Sequence, residues 1–176
     1  MARNYMTMVE AAGIGRTPQL CQDALIEELR ELFAGKKYVG QQGREELTFY
    51  KQDLPVPEDN DEDADLAEAP CPYILVQMTE GEIPKEDSPQ IVSFALVICC
   101  YDESLKREGY QDVANIKEDI VQRICSRPYF GGVFTILKPV SWALQVQDTR
   151  PYYYGALTFD VTAPALSQDT ELEELL

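Results

Sequence analysis

The chain contains no histidine. Without an imidazole, neither a Ser-His nor a Cys-His nucleophile pair can be built, and zinc sites of the usual spacing are nearly excluded. Five cysteines, Cys21, Cys71, Cys99, Cys100 and Cys125, make an odd number with no C-x-x-C pair. Free buried thiols in a reducing cytoplasm are the simplest reading of them. Long apolar runs are missing too. The longest, Phe94 to Tyr101, has eight residues, against the roughly 20 needed to span a bilayer. The N-terminal MARNYMTMVEAAG lacks the continuous apolar core of a signal peptide. No G-x-S-x-G, P-loop or G-x-G-x-x-G is present. The expectation is a protein without catalysis, cofactor, metal or membrane contact.

Positive charge is also scarce, with 15 Lys and Arg against 31 Asp and Glu and a net charge of −16. The excess is local. Residues 58–68 hold seven acids and no base, and the last eight residues hold four more acids and no base. The remaining body is only mildly acidic. That balance argues against a basic face that neutralises phosphates, and fits a surface that repels nucleic acid.

What is present is a chain of 176 residues with 45% hydrophobic content, enough for one domain with a sizeable core. The segment 139–162 organises the rest. Trp142, Leu144 and Val146 alternate with Ala143, Gln145 and Gln147. Further on, Tyr153, Gly155, Leu157, Phe159 and Val161 alternate with Tyr152, Tyr154, Ala156, Thr158 and Asp160. A period of two predicts half-buried strands. Asp148-Thr149-Arg150-Pro151 forms the corner between them, because Asp and Thr side chains cap turns and Pro151 has no N–H. Trp142 is expected in the core with Leu144 and Val146.

Upstream, residues 1–16 show no clear periodicity. Thr17-Pro18 opens a helix whose apolar stripe is Leu20, Ala24, Leu25, Leu29, Leu32 and Phe33, with Gly35 as its C-terminal cap. A short strand is expected over 46–50. Residues 58–69 read as an acidic, low-complexity loop, and 167–176 as an acidic tail. Strands follow at 72–79 and 91–101. The second is apolar on both sides and is expected to be central and covered on both faces. A helix over about 111–126 carries Val113, Ile116, Ile120 and Ile124, and Pro128 ends it. Residues 129–132 form a turn, and 133–138 a strand leading into the hairpin. The order predicts an α+β domain, a mostly antiparallel sheet with two amphipathic helices packed on it.

Three groups of residues invite chemistry. The carboxylates Asp102 and Glu103 sit at a strand end, where exposed acids are common without catalysis. Asp59 to Asp63 space their acids like the start of a calcium loop, but the glycine and glutamate that loop requires fall on Ala64 and Pro70, or on Leu66 and Pro72. Tyr152, Tyr153 and Tyr154 could stack on bases, yet only Arg150 supplies positive charge nearby. Tyrosines on the outer face of a strand more often mark a protein interface. Arg150, Tyr152 and Tyr154 are therefore the candidate subunit-interface residues. The acids Glu58, Asp59, Asp61, Glu62, Asp63 and Asp65 are candidates for a loop bordering a channel.

Several segments together carry a resemblance. They are Gly81-Glu82 ahead of a long apolar strand, Gly109-Tyr110-Gln111-Asp112-Val113-Ala114-Asn115 entering a helix, Pro139-Val140-Ser141-Trp142, and Asp148-Thr149-Arg150-Pro151-Tyr152-Tyr153-Tyr154-Gly155. Over about residues 72–164 the chain resembles the tail terminator (tail completion) proteins of long-tailed bacteriophages. The resemblance implies a small α+β structural protein of the virion, assembled in the host cytoplasm. It implies a hexameric ring in the neck region, which caps the last ring of tail-tube protein and offers a surface to the head-completion (connector or stopper) proteins. DNA would pass through the channel unread. Two other classes remain open. One is an acidic interaction protein, a DNA mimic or adaptor, although mimicry needs acids arrayed over a folded surface. The other is a metal-assisted enzyme using clustered carboxylates.

Overall fold

A computed structural model describes residues 17–55 and 70–165. The acidic segment 58–69, the tail 167–176 and the N-terminal residues 1–16, on which several expectations rested, lie outside the described residues.

The elements in chain order are α1 (Thr17–Phe33), β1 (Tyr38–Gly40), β2 (Gly43–Glu45), β3 (Thr48–Lys51), β4 (Tyr73–Glu82), β5 (Gln90–Tyr101), α2 (Gly109–Ser126), β6 (Tyr129–Phe130), β7 (Phe134–Leu144) and β8 (Tyr152–Ala163). β1 and β2 form a small antiparallel hairpin, which the sequence reading missed. The other strands make one six-stranded sheet in the order β3-β4-β5-β8-β7-β6. Every pair in it is antiparallel except β3 with β4. The fold is α+β, as the alternation of patterns predicts.

One face of the sheet carries both helices. From α1 it buries Cys21, Ala24, Leu25, Ile26, Leu29 and Phe33, and from α2 Val113, Ile116, Ile120 and Ile124. The sheet meets them with Val92, Phe94, Leu96, Ile98 and Cys100 of β5 and with Leu157, Phe159 and Val161 of β8. At 20–33 cal/mol per Å² of apolar area, this shared core is the main stabilising term. Gly155 allows a close approach. A Cβ there would lie 2.7 Å from Val113 Cγ1, so α2 rests almost on the backbone of β8. Gly35 follows α1 at φ +74°, the left-handed geometry of a helix C-terminal cap.

Side-chain bonds tie the layers. Arg123 on α2 pairs with Glu28 on α1 at 2.7 Å, both largely shielded from water. Asp112 Oδ2 accepts from the Val39 N–H at 2.8 Å, which holds the β1–β2 hairpin against α2. Gln22, buried on α1, donates from Nε2 to the Val76 carbonyl at 2.9 Å and to Gln52 Oε1 at 3.2 Å. Gln52 then finishes β3 with its side chain. Its Nε2 donates to the Met78 carbonyl and its Oε1 accepts from the Met78 N–H, both at 3.0 Å.

The opposite face differs from expectation. β5 is central, but the described helices lie on one of its sides. On the other side Ile91, Ser93, Ala95, Val97 and Tyr101 are half-buried, and among the described residues no helix lies over them. The apolar character of that side reflects the neighbouring strands and a local aromatic cluster.

Two further strand expectations are corrected in detail. The strand read at 46–50 runs over Thr48–Lys51. Residues 129–132 include the two-residue β6, paired with Phe134 and Thr135. The hairpin expected within 139–162 is present, but its first strand and the strand expected at 133–138 are one continuous strand, β7. β7 and β8 pair antiparallel, with a register shift between Leu137 and Ser141 that brackets Pro139. A missing N–H at Pro139 is the physical reason for a break in the ladder there.

Candidate subunit interface

The face opposite the helices is not uniform. At the end nearest the β7–β8 corner, Tyr73 and Leu75 of β4, Cys99 of β5 and Cys71 just before β4 form a second buried cluster. Around it pack Tyr50, Leu54, Val97, Tyr101, Tyr152 and Tyr154. Strand register explains the grouping, since Tyr73 faces Cys99, Cys99 faces Tyr154, and Tyr101 faces Tyr152. Residues opposite one another share a face, so four strands deliver their tyrosines to one place. Toward the other end the same face turns polar, with Ser93 donating to Asp160 Oδ1 at 2.6 Å.

The rings are organised. Tyr101 and Tyr152 meet edge to face with centroids 5.1 Å apart, and Tyr152 and Tyr154 stack at 6.4 Å. Tyr50 and Tyr73 form a second edge-to-face pair at 5.5 Å. Such pairs contribute about 0.5–1.5 kcal/mol each beyond area burial. The Tyr101 hydroxyl donates to Glu103, and this hydrogen bond, with burial second, pushes the phenol up to about 12. It therefore stays a neutral donor throughout the physiological range.

The corner residues behave as turn formers. The Thr149 hydroxyl donates to the Tyr152 carbonyl at 2.7 Å, and the Arg150 N–H donates to Asp148 Oδ1 at 3.2 Å. The Arg150 side chain donates to the Glu103 carbonyl at 2.7 Å, within its own chain. Arg107 pairs with Asp148 at 2.6 Å, and that hydrogen bond holds the Asp148 carboxyl below the usual range. Two arginines thus stitch the loop 102–108 to the hairpin tip. Beside this seam, a cleft of about 280 Å³ opens between α2 and the hairpin, lined by Arg107, Tyr110, Val113, Leu144 and Tyr153 among others.

Of the sequence-selected residues, the structure brings Arg150, Tyr152 and Tyr154 together at one end of the open face. Tyr152 and Tyr154 lie opposite the core face, as expected, and are half-buried against the cysteine-tyrosine cluster. The face of β8 expected in the core is there, with Gly155, Leu157, Phe159 and Val161 buried and Tyr153 half-buried. Glu58, Asp59, Asp61, Glu62, Asp63 and Asp65 lie outside the described residues.

Trp142 is a correction. It is 54% exposed, and Val146 is 97% exposed. Trp142 does point toward the helix side, since it pairs with buried Leu157, but there it lies at the margin of α2, with Lys117 over its ring. Val146 lies past the end of β7, where the strand alternation no longer governs direction.

Asp102 and Glu103 have structural partners. Asp102 Oδ1 accepts from the Ser104 N–H at 2.8 Å. Burial pulls its carboxyl up, but hydrogen bonds from Ser104, Gly109 and Glu108 outweigh this and hold it below the usual value. The residues missed from sequence are Tyr50, Tyr73 and Tyr101. Their signal was the count of tyrosines near strand ends, which acquires meaning only with the register.

Among the described residues no group of three or more Cys, Asp or Glu could hold a metal ion, and no helix is long and apolar enough to cross a membrane. Comparison with protein families and with curated proteins finds no match to this chain.

Proposed function

We propose that this protein is a structural component of a phage tail, acting as a tail terminator does: a hexameric ring that caps the tail-tube protein and presents a surface to the head-completion proteins. The observation that carries the reading is the tyrosine cluster on the sheet face over which, among the described residues, no helix lies. Tyr101, Tyr152 and Tyr154 give a large, pre-ordered aromatic surface with little rotamer freedom to lose, the composition favoured at protein interfaces. The segment resemblance over 72–164 supplies the kind of assembly. The mild acidity of the body fits DNA as passing cargo. In this reading the protein works in the virion, at the neck, and performs no catalysis.

The test is the double variant Tyr152→Ser and Tyr154→Ser. Light scattering should show rings for the native chain and monomers for the variant, with circular dichroism of the two samples alike. Negative-stain images of native protein mixed with tube protein should show capped tube ends. A native chain that stays monomeric at high concentration would sink the proposal and favour an acidic adaptor. Intact rings in the double variant would move the interface off this face.

A further inference from the structure

Cys71 and Cys99 lie in the buried cluster beneath the tyrosines, with their sulfurs 3.0 Å apart. Cys99 belongs to β5 and is fully buried; Cys71 stands two residues before β4 and is 2% exposed. Strand alternation singles out this pair. Cys100, the next residue, points to the helix face and packs with the other core, which also holds Cys21. A disulfide needs sulfurs at ~2.05 Å, so a shift of roughly 1 Å converts contact into bond.

We propose that Cys71 and Cys99 form an oxidation site, at which hydrogen peroxide converts the dithiol into a disulfide that fastens the entry of β4 to β5 beneath the aromatic patch. One sulfur, having given up its proton, attacks a peroxide oxygen. The O–O bond breaks, a sulfenic acid forms, and the departing hydroxide takes up a proton and leaves as water. The second sulfur attacks the sulfenic sulfur; the S–S bond forms, the S–O bond breaks, and a second water leaves. The two thiols lose two electrons and the peroxide gains them.

Access follows from position. Cys71 adjoins exposed Pro70 at the start of a strand, where local opening costs least. Hydrogen peroxide is small enough to use such an opening. The bond would close a loop between residues 28 apart in sequence, which lowers the entropy of the unfolded chain. It would also stiffen the floor of the tyrosine cluster. The oxidation stands independently of any ring.

The experiment uses the full chain with Cys125→Ala, which removes the exposed thiol and leaves four of the five cysteines. The protein is treated with hydrogen peroxide, unfolded, alkylated and weighed. Two of the four thiols should resist alkylation, a linked peptide should contain Cys71 and Cys99, and dithiothreitol should reverse both results. Tm should rise by about 10 °C on oxidation. In the same background Cys99→Ala should leave every remaining thiol reactive, and the parent measurement decides the matter if that variant fails to fold. Four alkylated thiols, under conditions where Cys125 of the native chain is consumed, would overturn the proposal. So would a linked peptide joining other cysteines, or an unchanged Tm once the link has formed.

Discussion

Lys117 Nζ sits 4.1 Å from the centre of the Trp142 ring and 2.8 Å from the Glu118 carboxylate. The ammonium joins α2 to β7 at the edge of the core, with the indole open to solvent on its outer side. Fluorescence from Trp142, the only tryptophan, should therefore be accessible to a neutral quencher such as acrylamide. Lys117→Met should change the emission and cost about 0.5–2 kcal/mol through loss of the cation–ring contact. A blue-shifted, unquenched emission would return Trp142 to the core.

Contact between Gly155 and Val113 makes a paired prediction. Gly155→Ala places a methyl 2.7 Å from Val113 Cγ1 and 3.2 Å from Leu144 Cδ2. Overpacking of this kind costs about 1–3 kcal/mol. Val113→Ala alone costs a cavity, but in combination it gives the new methyl room. Urea unfolding of the two single variants and the double variant should show a double loss smaller than the sum. Strict additivity would show that α2 does not press on β8 there.

Gln22 separates packing from hydrogen bonding. Its acceptor Val76 O also receives the Gln52 N–H at 2.9 Å, so removing the amide leaves no orphan carbonyl. Gln22→Met keeps the volume and should cost about 1 kcal/mol. Gln22→Ala should cost about 2–4 kcal/mol through the cavity. Equal losses in thermal unfolding would place the energy in the hydrogen bonds.

Asp102 gives a pH dependence. Its carboxyl is held below the ordinary value in the folded chain, so the folded state binds its proton less readily than the unfolded state. The stability it supplies is complete above the unfolded value near 4 and drains as pH falls toward the lower folded value. Asp102→Ala should lower stability at pH 7 by about 1 kcal/mol, as loss of a helix-terminal acceptor does. Below pH 4 the gap between variant and native chain should narrow. A constant gap across that range would remove Asp102 from the linkage.

Both helices, the hairpin and the core face of β8 were legible because each follows a simple period. The stripe of Val113, Ile116, Ile120 and Ile124 has one solution as a helix, and the alternation from Tyr153 to Val161 has one as a strand. Trp142 was misplaced because alternation fixes a side and not a depth. It points to the helix side, yet it lies at the margin of α2, under the Lys117 side chain and half open to solvent. The covering of β5 was misread for a related reason: apolar residues on a strand's second face require neighbours, and tyrosines from adjacent strands can serve as well as a helix. Tyr50, Tyr73 and Tyr101 were invisible as a group because they are far apart in sequence and meet only through register.

Along the outer edge of β7, β6 pairs with Phe134 and Thr135 alone, and among the described residues no strand lies beside the stretch from Ile136 onward. A long bare edge is a template for sheet-to-sheet growth, the route by which folded β proteins come out of solution as fibres. Lys138 stands in the middle of that edge and brings a charge that stacked copies repel, and the register shift at Pro139 interrupts the flat template a docking strand would need. The irregularity in the β7 ladder is thus also a guard on colloidal behaviour. It lets an exposed strand persist at high protein concentration.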